Sequence, residues 1–246
     1  MMFPSLFLAE WYKLRKTNIV PFLLIGPAVG LFMGLTVSFP AVMDVDINQW
    51  YISLFAMNLT YALLFLPLLT GVLASMICRY EHQAGGWKQL LSLPVTRGRV
   101  FMAKYSLLMS IVFVIQILYL AAIYTVGFIK GFSDPFPIEI VWKSVVGGWV
   151  ATFPLVALQL WVAMVWKNMA IPLAINVMFT LPTILVANSQ RIGPFYPWAQ
   201  PFFMMYVDGE AQGVFFVPWD QVLTVVGGSF VLFYGAGLLY FMRKAV

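Results

Sequence analysis

The residues able to do chemistry crowd into one short stretch, RYEHQAGGWKQLLSLPVTRGRVFMAKY, from Arg79 to Tyr105. It holds Arg79, Glu81, Lys88, Arg97, Arg99, Lys104 and the chain's only histidine, His82. The patterns that bond-making chemistry would need are missing. There is no G-x-x-x-x-G-K-[ST] loop to cradle phosphate, no H-E-x-x-H and no EF-hand loop. Nor is there a G-x-S-x-G elbow to present a serine nucleophile. His82 has no second histidine with which to share a metal. The single cysteine, Cys78, excludes an internal disulfide and a cysteine-rich metal site, and reads as a small packing residue. What remains is charge beside apolar surface, which is the chemistry of docking. Trp87, Leu90, Leu91 and Leu93 give a short segment one apolar side, and Pro94 ends it, because the residue before a proline disfavours helix. Arg97, Arg99 and Lys104 follow as a basic re-entry. Held at a membrane face, such a patch suits another protein; packing on the membrane surface itself is the other reading.

The elements that must position this loop are membrane helices. The 246 residues are 62% hydrophobic and only 9% charged, where a soluble domain carries about 25%. Six charge-free runs are long enough to cross a bilayer, which takes about 20 apolar residues. They place spans near 18–38, 52–77, 105–128, 144–166, 169–188 and 222–241. The first run is too long for the apolar core of a cleavable signal and has no good cleavage site, so it reads as a retained span. A shorter run, IGPFYPWAQPFFMMYV at 192–207, is interrupted by Pro194, Pro197 and Pro201. Its aromatics suit a re-entrant or interfacial element, with an aromatic-rich loop as the alternative.

Six spans put both termini on one side, and the charges then sort. Eleven of the fourteen basic residues share that side, and seven of the nine acids lie on the other: Asp44, Asp46, Asp134, Glu139, Asp208, Glu210 and Asp220. The positive-inside rule places both termini and the 79–104 loop in the cytoplasm. A wrong span count would scramble this split. The expectation is a single all-α membrane domain, 1–246. It has an N-terminal segment 1–17, a cytoplasmic loop 79–104 and an extracytoplasmic loop 189–221.

No ionisable residue sits mid-span, so ion coupling lacks the groups it typically uses, and no filter motif suggests a channel. Asn58, Gln116, Gln159 and Asn176, with Thr60, Ser110 and Thr180, either hydrogen-bond between helices or line a polar substrate path. Pro21, Pro27, Pro67, Pro154, Pro172 and Pro182 would kink helices. Gly147, Gly148, Gly227, Gly228, Gly235 and Gly237 would let helices approach closely. In the tail MMFPSLFLAEWYKLRKT, Phe3, Phe7, Trp11 and Leu14 share one helical face, while Glu10, Lys13 and Lys16 fall on another. That describes an amphipathic helix lying on the inner leaflet.

Glu81, Gly85 or Gly86, Leu90, Leu91, Pro94, Thr96, Arg97 and Lys104 together resemble the E–G–LL–P-[ST]-R–K pattern of ABC-2 type transporter permeases. Six spans, the basic entry AEWYKLRKT and no fused ATPase are similar to the lantibiotic-immunity and bacitracin-resistance branch. Two departures stand out: the Gly85–Gly86 pair lowers helix propensity, and Trp87 stands where a threonine or serine often follows the family's glycine. The resemblance implies a permease of the bacterial cytoplasmic membrane that exports an antimicrobial peptide or other amphipathic substrate. Its partners would be a separate ATP-binding cassette subunit, which binds ATP and Mg, and a second permease copy or paralogue. No cofactor or metal is expected in this chain, it is not expected to be an enzyme, and no nucleic-acid partner is expected. The resemblance makes 79–104 a coupling loop, with Glu81 to Leu93 relaying ATPase closure and Trp87, Leu90 and Leu91 as docking anchors. Phe7, Trp11, Lys13 and Leu14 would belong to a connecting helix. Glu81 would pair with a basic residue, such as one from that helix, and Arg97, Arg99 and Lys104 would anchor at lipid phosphates. A membrane scaffold or sensor that recruits a cytoplasmic regulator is the alternative from another class, and a membrane enzyme acting without a partner is a third.

Overall fold

The computed structural model of the chain describes residues 3–37, 48–83, 86–189, 191–206 and 218–244. Every regular element among them is helical. A 13-residue helix, α1 (Phe3–Arg15), meets α2 (Val20–Thr36) at a bend of 78°. Next comes one continuous helical run, Gln49–His82, made of α3 (Gln49–Thr60), a π-helical turn (Tyr61–Phe65) and α4 (Leu66–His82). The short α5 (Gly86–Ser92) follows, then the long helices α6 (Arg97–Lys130) and α7 (Ile138–Val165). The chain continues through α8 (Ala170–Thr180), α9 (Thr183–Val186) and α10 (Gln200–Met205) to α11 (Trp219–Arg243).

Local sequence explains the breaks. Asn48 caps α3 by accepting from the Trp50 N–H at 2.9 Å. The π turn directly precedes Pro67, which has no N–H to donate; the wider turn absorbs the missing bond. Gly131, at φ 64°, closes α6 in the left-handed conformation. Tertiary packing follows small residues. Along α2, Gly26, Gly30 and Gly34 are buried one turn apart, and a Cβ at Gly30 or Gly34 would stand 2.7 Å from Tyr119 or Val126 of α6. The sequence reading named six other glycines and missed this stripe. Of those six, Gly147, Gly148 and Gly237 do face close neighbours, whereas Gly227, Gly228 and Gly235 have nothing within 4 Å.

Among the described residues four helices are long and apolar enough to cross a membrane: Gln49–His82, Arg97–Lys130, Ile138–Val165 and Trp219–Arg243. The bent α1–α2 pair makes a fifth if it is counted as one span. The expected span 169–188 takes a shorter form, α8 and the single turn α9, interrupted at Leu181 and Pro182. At about 1.5 Å per residue its 17 residues reach roughly 25 Å, less than the ~30 Å of a hydrocarbon core. The region 192–207 also differs from a surface loop. Ile192 and Phe195 are exposed, but Trp198 to Met205 are buried, and α10 packs against α7. Three prolines keep the segment from forming one helix; its aromatic and methionine side chains then fill space between longer helices. Gly85, the acids Asp44, Asp46, Asp208 and Glu210, and parts of the 189–221 loop lie outside the described residues.

Candidate functional site

The site is built where α1 crosses the root of the α4–α6 connection. On α1, Leu6, Glu10 and Leu14 are buried at intervals of four, so this face lies against the protein. Phe3, Leu8, Trp11 and Tyr12 are exposed on the remainder. Burial of Glu10 corrects the sequence expectation, which grouped it with Lys13 and Lys16 on the polar face of a helix lying on the inner leaflet. Phe7 is half-buried against the core, and Leu14 belongs to it.

Glu10 is buried because its charge is met. One carboxylate oxygen lies 2.7 Å from Lys13 Nζ and the other 2.7 Å from Lys104 Nζ. Glu81, five residues before α5, completes the figure: Lys13 Nζ stands 2.7 Å from Oε1 and Lys104 Nζ 2.9 Å from Oε2. The Glu81–Lys104 contact is one of charge rather than of an aligned hydrogen bond. Two carboxylates thus alternate with two ammonium groups in a closed ring of zero formal charge. Lys104, fully buried, also donates to the Ile77 carbonyl at 3.2 Å, and its ammonium lies 5.8 Å from the Trp87 ring centroid. The lipid-phosphate role expected for Lys104 is therefore corrected: at the second turn of α6 its side chain points into the protein, where two acids await it.

Trp87, on α5, is likewise turned inward and buried. Its indole N–H donates to His82 Nδ1 at 3.2 Å, and His82 Nε2 donates to the Ala163 carbonyl of α7 at 2.8 Å. Indole can only donate and a carbonyl can only accept, so these partners fix a neutral imidazole with its hydrogen on Nε2. Trp87 also packs on Phe241 of α11, with ring centroids 5.1 Å apart. This corrects its expected part as an ATPase-facing anchor, because the indole is covered by the chain's own helices. Leu90 is partly buried against the same core. On α5 the exposed residues include Lys88, Gln89 and Ser92, and Leu93 and Pro94 continue that surface just beyond the helix. Gly86 starts α5 against the Tyr80 carbonyl, where a Cβ would stand only 2.7 Å away. Leu91 is on the same helix.

Arg97 is corrected in the same sense as Lys104. Its guanidinium donates to the Met242 carbonyl at 3.2 Å and to the Lys244 carbonyl, tying the start of α6 to the end of α11. Arg99 is exposed. The end of α4 is thus joined to α1 through Glu81 and to α7 through His82, while Trp87 ties α5 to His82 and to α11.

The four amides weighed as a substrate path are all buried, and all bond to other elements. Asn58 donates to the Met205 carbonyl at 2.6 Å and accepts from Tyr119 at 2.7 Å. Gln116 accepts from Tyr61 at 3.2 Å, and Tyr61 and Tyr119 stack with centroids 3.9 Å apart. Asn176 donates to the carbonyls of Pro67 and Leu68, and its Oδ1 accepts from Gln159 at 2.8 Å and Trp198 at 2.9 Å. Gly71 makes room for it; a Cβ there would overlap the amide. These residues fasten α4, α7, α8 and the 192–206 segment together, and a path through them would first have to open those bonds.

Sequence reasoning expected Glu81 to pair with a basic residue such as one from the N-terminal helix, and Lys13 is that residue; it missed Glu10 and Lys104 as members of the ring, yet one signal for them was present. On the six-span reading only two acids, Glu10 and Glu81, share a side with eleven basic residues, and both are in the ring.

The model of the ABC-2 family transporter protein matches residues 6–183, a range that includes all four ring residues and α5. The bacitracin transport permease protein BCRB of Bacillus licheniformis is 25% identical over 193 residues, covering 76% of this chain and 88% of that protein. A helical membrane chain whose matched region takes in its N-terminal helix and its polar connecting loop belongs to the ABC-2 family of transporter proteins.

Proposed function

We propose that this chain is the membrane-spanning permease subunit of an ATP-driven exporter, with ATP and Mg bound by a separate ATP-binding cassette subunit. The observation that carries the proposal is the ion ring. It joins α1 to both roots of the α5 connection, the segment a cytoplasmic partner would push. The ATPase would meet the exposed side of this connection, Lys88, Gln89 and Leu93, while buried Trp87 relays displacement to His82 and Phe241. In this reading α2, α3–α4, α6, α7, α8–α9 and α11 are six spans of a bacterial cytoplasmic membrane, both termini are cytoplasmic, and α10 is a re-entrant helix on the far side. A second permease copy or a paralogue completes the transporter. Because its relative is named for bacitracin transport, the cargo class we favour is an antimicrobial peptide or a similar amphipathic molecule.

The test is reconstitution with the ATPase that co-purifies. Lys88→Glu and Leu93→Asp alter exposed positions and should leave membrane insertion and protein level unchanged. Both should cut transport while ATP hydrolysis continues. Full transport in both variants would remove α5 as the coupling element. If no ATPase co-purifies and a regulatory protein does, the chain is a scaffold instead.

A further inference from the structure

Two adjoining cavities, both open to the surface, are lined by residues of the 78° elbow between α1 and α2. The first, about 540 Å³, has a polar rim of Arg15, Lys16, Thr17 and Asn18. The second, about 370 Å³, runs between α1, α2 and α6 and is lined by apolar groups such as Phe7, Leu8, Ile111 and Val114. Its one polar side chain, Ser110, already donates to the Ser106 carbonyl at 2.8 Å. Trp11, Ile19 and Leu23 form walls of both, so the basic mouth opens directly into the apolar slot. Arg15 and Lys16 are exposed, and among the described residues neither is paired with a carboxylate. The nearby acids that could have neutralised this mouth, Glu10 and Glu81, are engaged in the ring with Lys13 and Lys104.

We infer that this elbow is a binding site for one anionic phospholipid. Its headgroup phosphate sits at Arg15 and Lys16, and one acyl chain lies in the slot along Trp11, Leu23 and Val114. Both halves are needed for this assignment. Two cations beside polar backbone suit a phosphate, and an almost wholly apolar slot suits a hydrocarbon chain. Each cavity falls within the range of ligand sites, ~300–1,000 Å³. A bound lipid would wedge the α1–α2 angle and so hold Glu10 and Lys13 in register with Glu81. The inference uses the membrane setting of the family but not the proposed export activity, so its failure would leave that proposal untouched.

The experiment is native mass spectrometry of the full chain, with any co-purifying partner. The protein is released from nanodiscs of phosphatidylcholine and phosphatidylglycerol. One phosphatidylglycerol per chain should be retained in preference to phosphatidylcholine. Arg15→Gln with Lys16→Gln should reduce that preference about thirtyfold. Val114→Trp, at an exposed position that narrows the slot, should lower retention of both lipids with the headgroup preference kept. Millimolar inorganic phosphate should not displace the lipid. Equal retention of the two lipids by the unaltered chain would overturn the proposal, as would an unchanged preference in the double variant, because either describes ordinary annular lipid. Release by phosphate would show that the slot holds no chain. Displacement by a transported peptide would assign the elbow to cargo.

Discussion

Two groups of polar side chains are buried in this membrane chain, and they are built on different principles. The ring of Glu10, Lys13, Glu81 and Lys104 uses full charges, gathers three helices at one point and sits beside the short α5. The amide network of Asn58, Gln116, Gln159 and Asn176 uses neutral groups spread along the bundle, many of them bonded to backbone carbonyls. The difference matters when one member is lost. A charge left alone in a buried site has no cheap relaxation, whereas an amide network can lose a bond and repack, and such bonds average about 0.6 kcal/mol in membranes. The ring therefore makes α1, α4 and α6 interdependent. The amides give the bundle specificity at modest cost per member.

Removing the fully buried cation tests this contrast most severely. Lys104→Met leaves two carboxylates facing one partly exposed lysine and should destabilise the protein by about 3–5 kcal/mol, read as lost folded protein in the membrane. Pairing it with Glu10→Gln leaves Lys13 and Glu81 in balance and should restore most of that loss. If the double variant is no better than the single, the ring is not a charge-balanced unit. In the amide network, Asn176→Leu orphans the Trp198 and Gln159 donors and should cost about 1–3 kcal/mol, seen as a lower melting temperature in detergent. A cost as large as that of Lys104→Met would erase the distinction. Trp87→Phe keeps an aromatic ring against Phe241 but removes the donor to His82, and should cost about 1 kcal/mol while weakening coupling of ATP hydrolysis to transport. Smallest of all, Gly227→Ala and Gly235→Ala meet no neighbour, and each should stabilise α11 by at most about 1 kcal/mol through helix propensity. A clear loss there would mean that another chain covers this face.

The same contrast explains what was legible beforehand. The amides were visible as polar letters in apolar runs, and both readings of them were on hand; their partners across the bundle were not. In the ring, Glu81 and Lys104 stood out by position, but Lys104 was taken for a lipid anchor because a lysine at a helix entry usually meets phosphate. Glu10 was misplaced because the α1 pattern offers two overlapping faces: Phe3, Phe7, Trp11 and Leu14 recur helically, and so do Leu6, Glu10 and Leu14. Periodicity tells which residues share a face. It does not tell which face meets protein and which meets lipid, since apolar side chains suit both.

The sequence by itself determined the class of the molecule: apolar runs of span length and a compact polar connection between two helices. Those follow from local composition, because transfer of a charge or of an open backbone into hydrocarbon is costly wherever it occurs. Only the tertiary structure decided that Trp87 and Lys104 turn inward. It also decided that Trp198 to Met205 fill the bundle. Each of these depends on a partner distant in sequence, such as Glu10 for Lys104 at a separation of 94 residues. A buried charge is tolerable only where its counter-charge arrives.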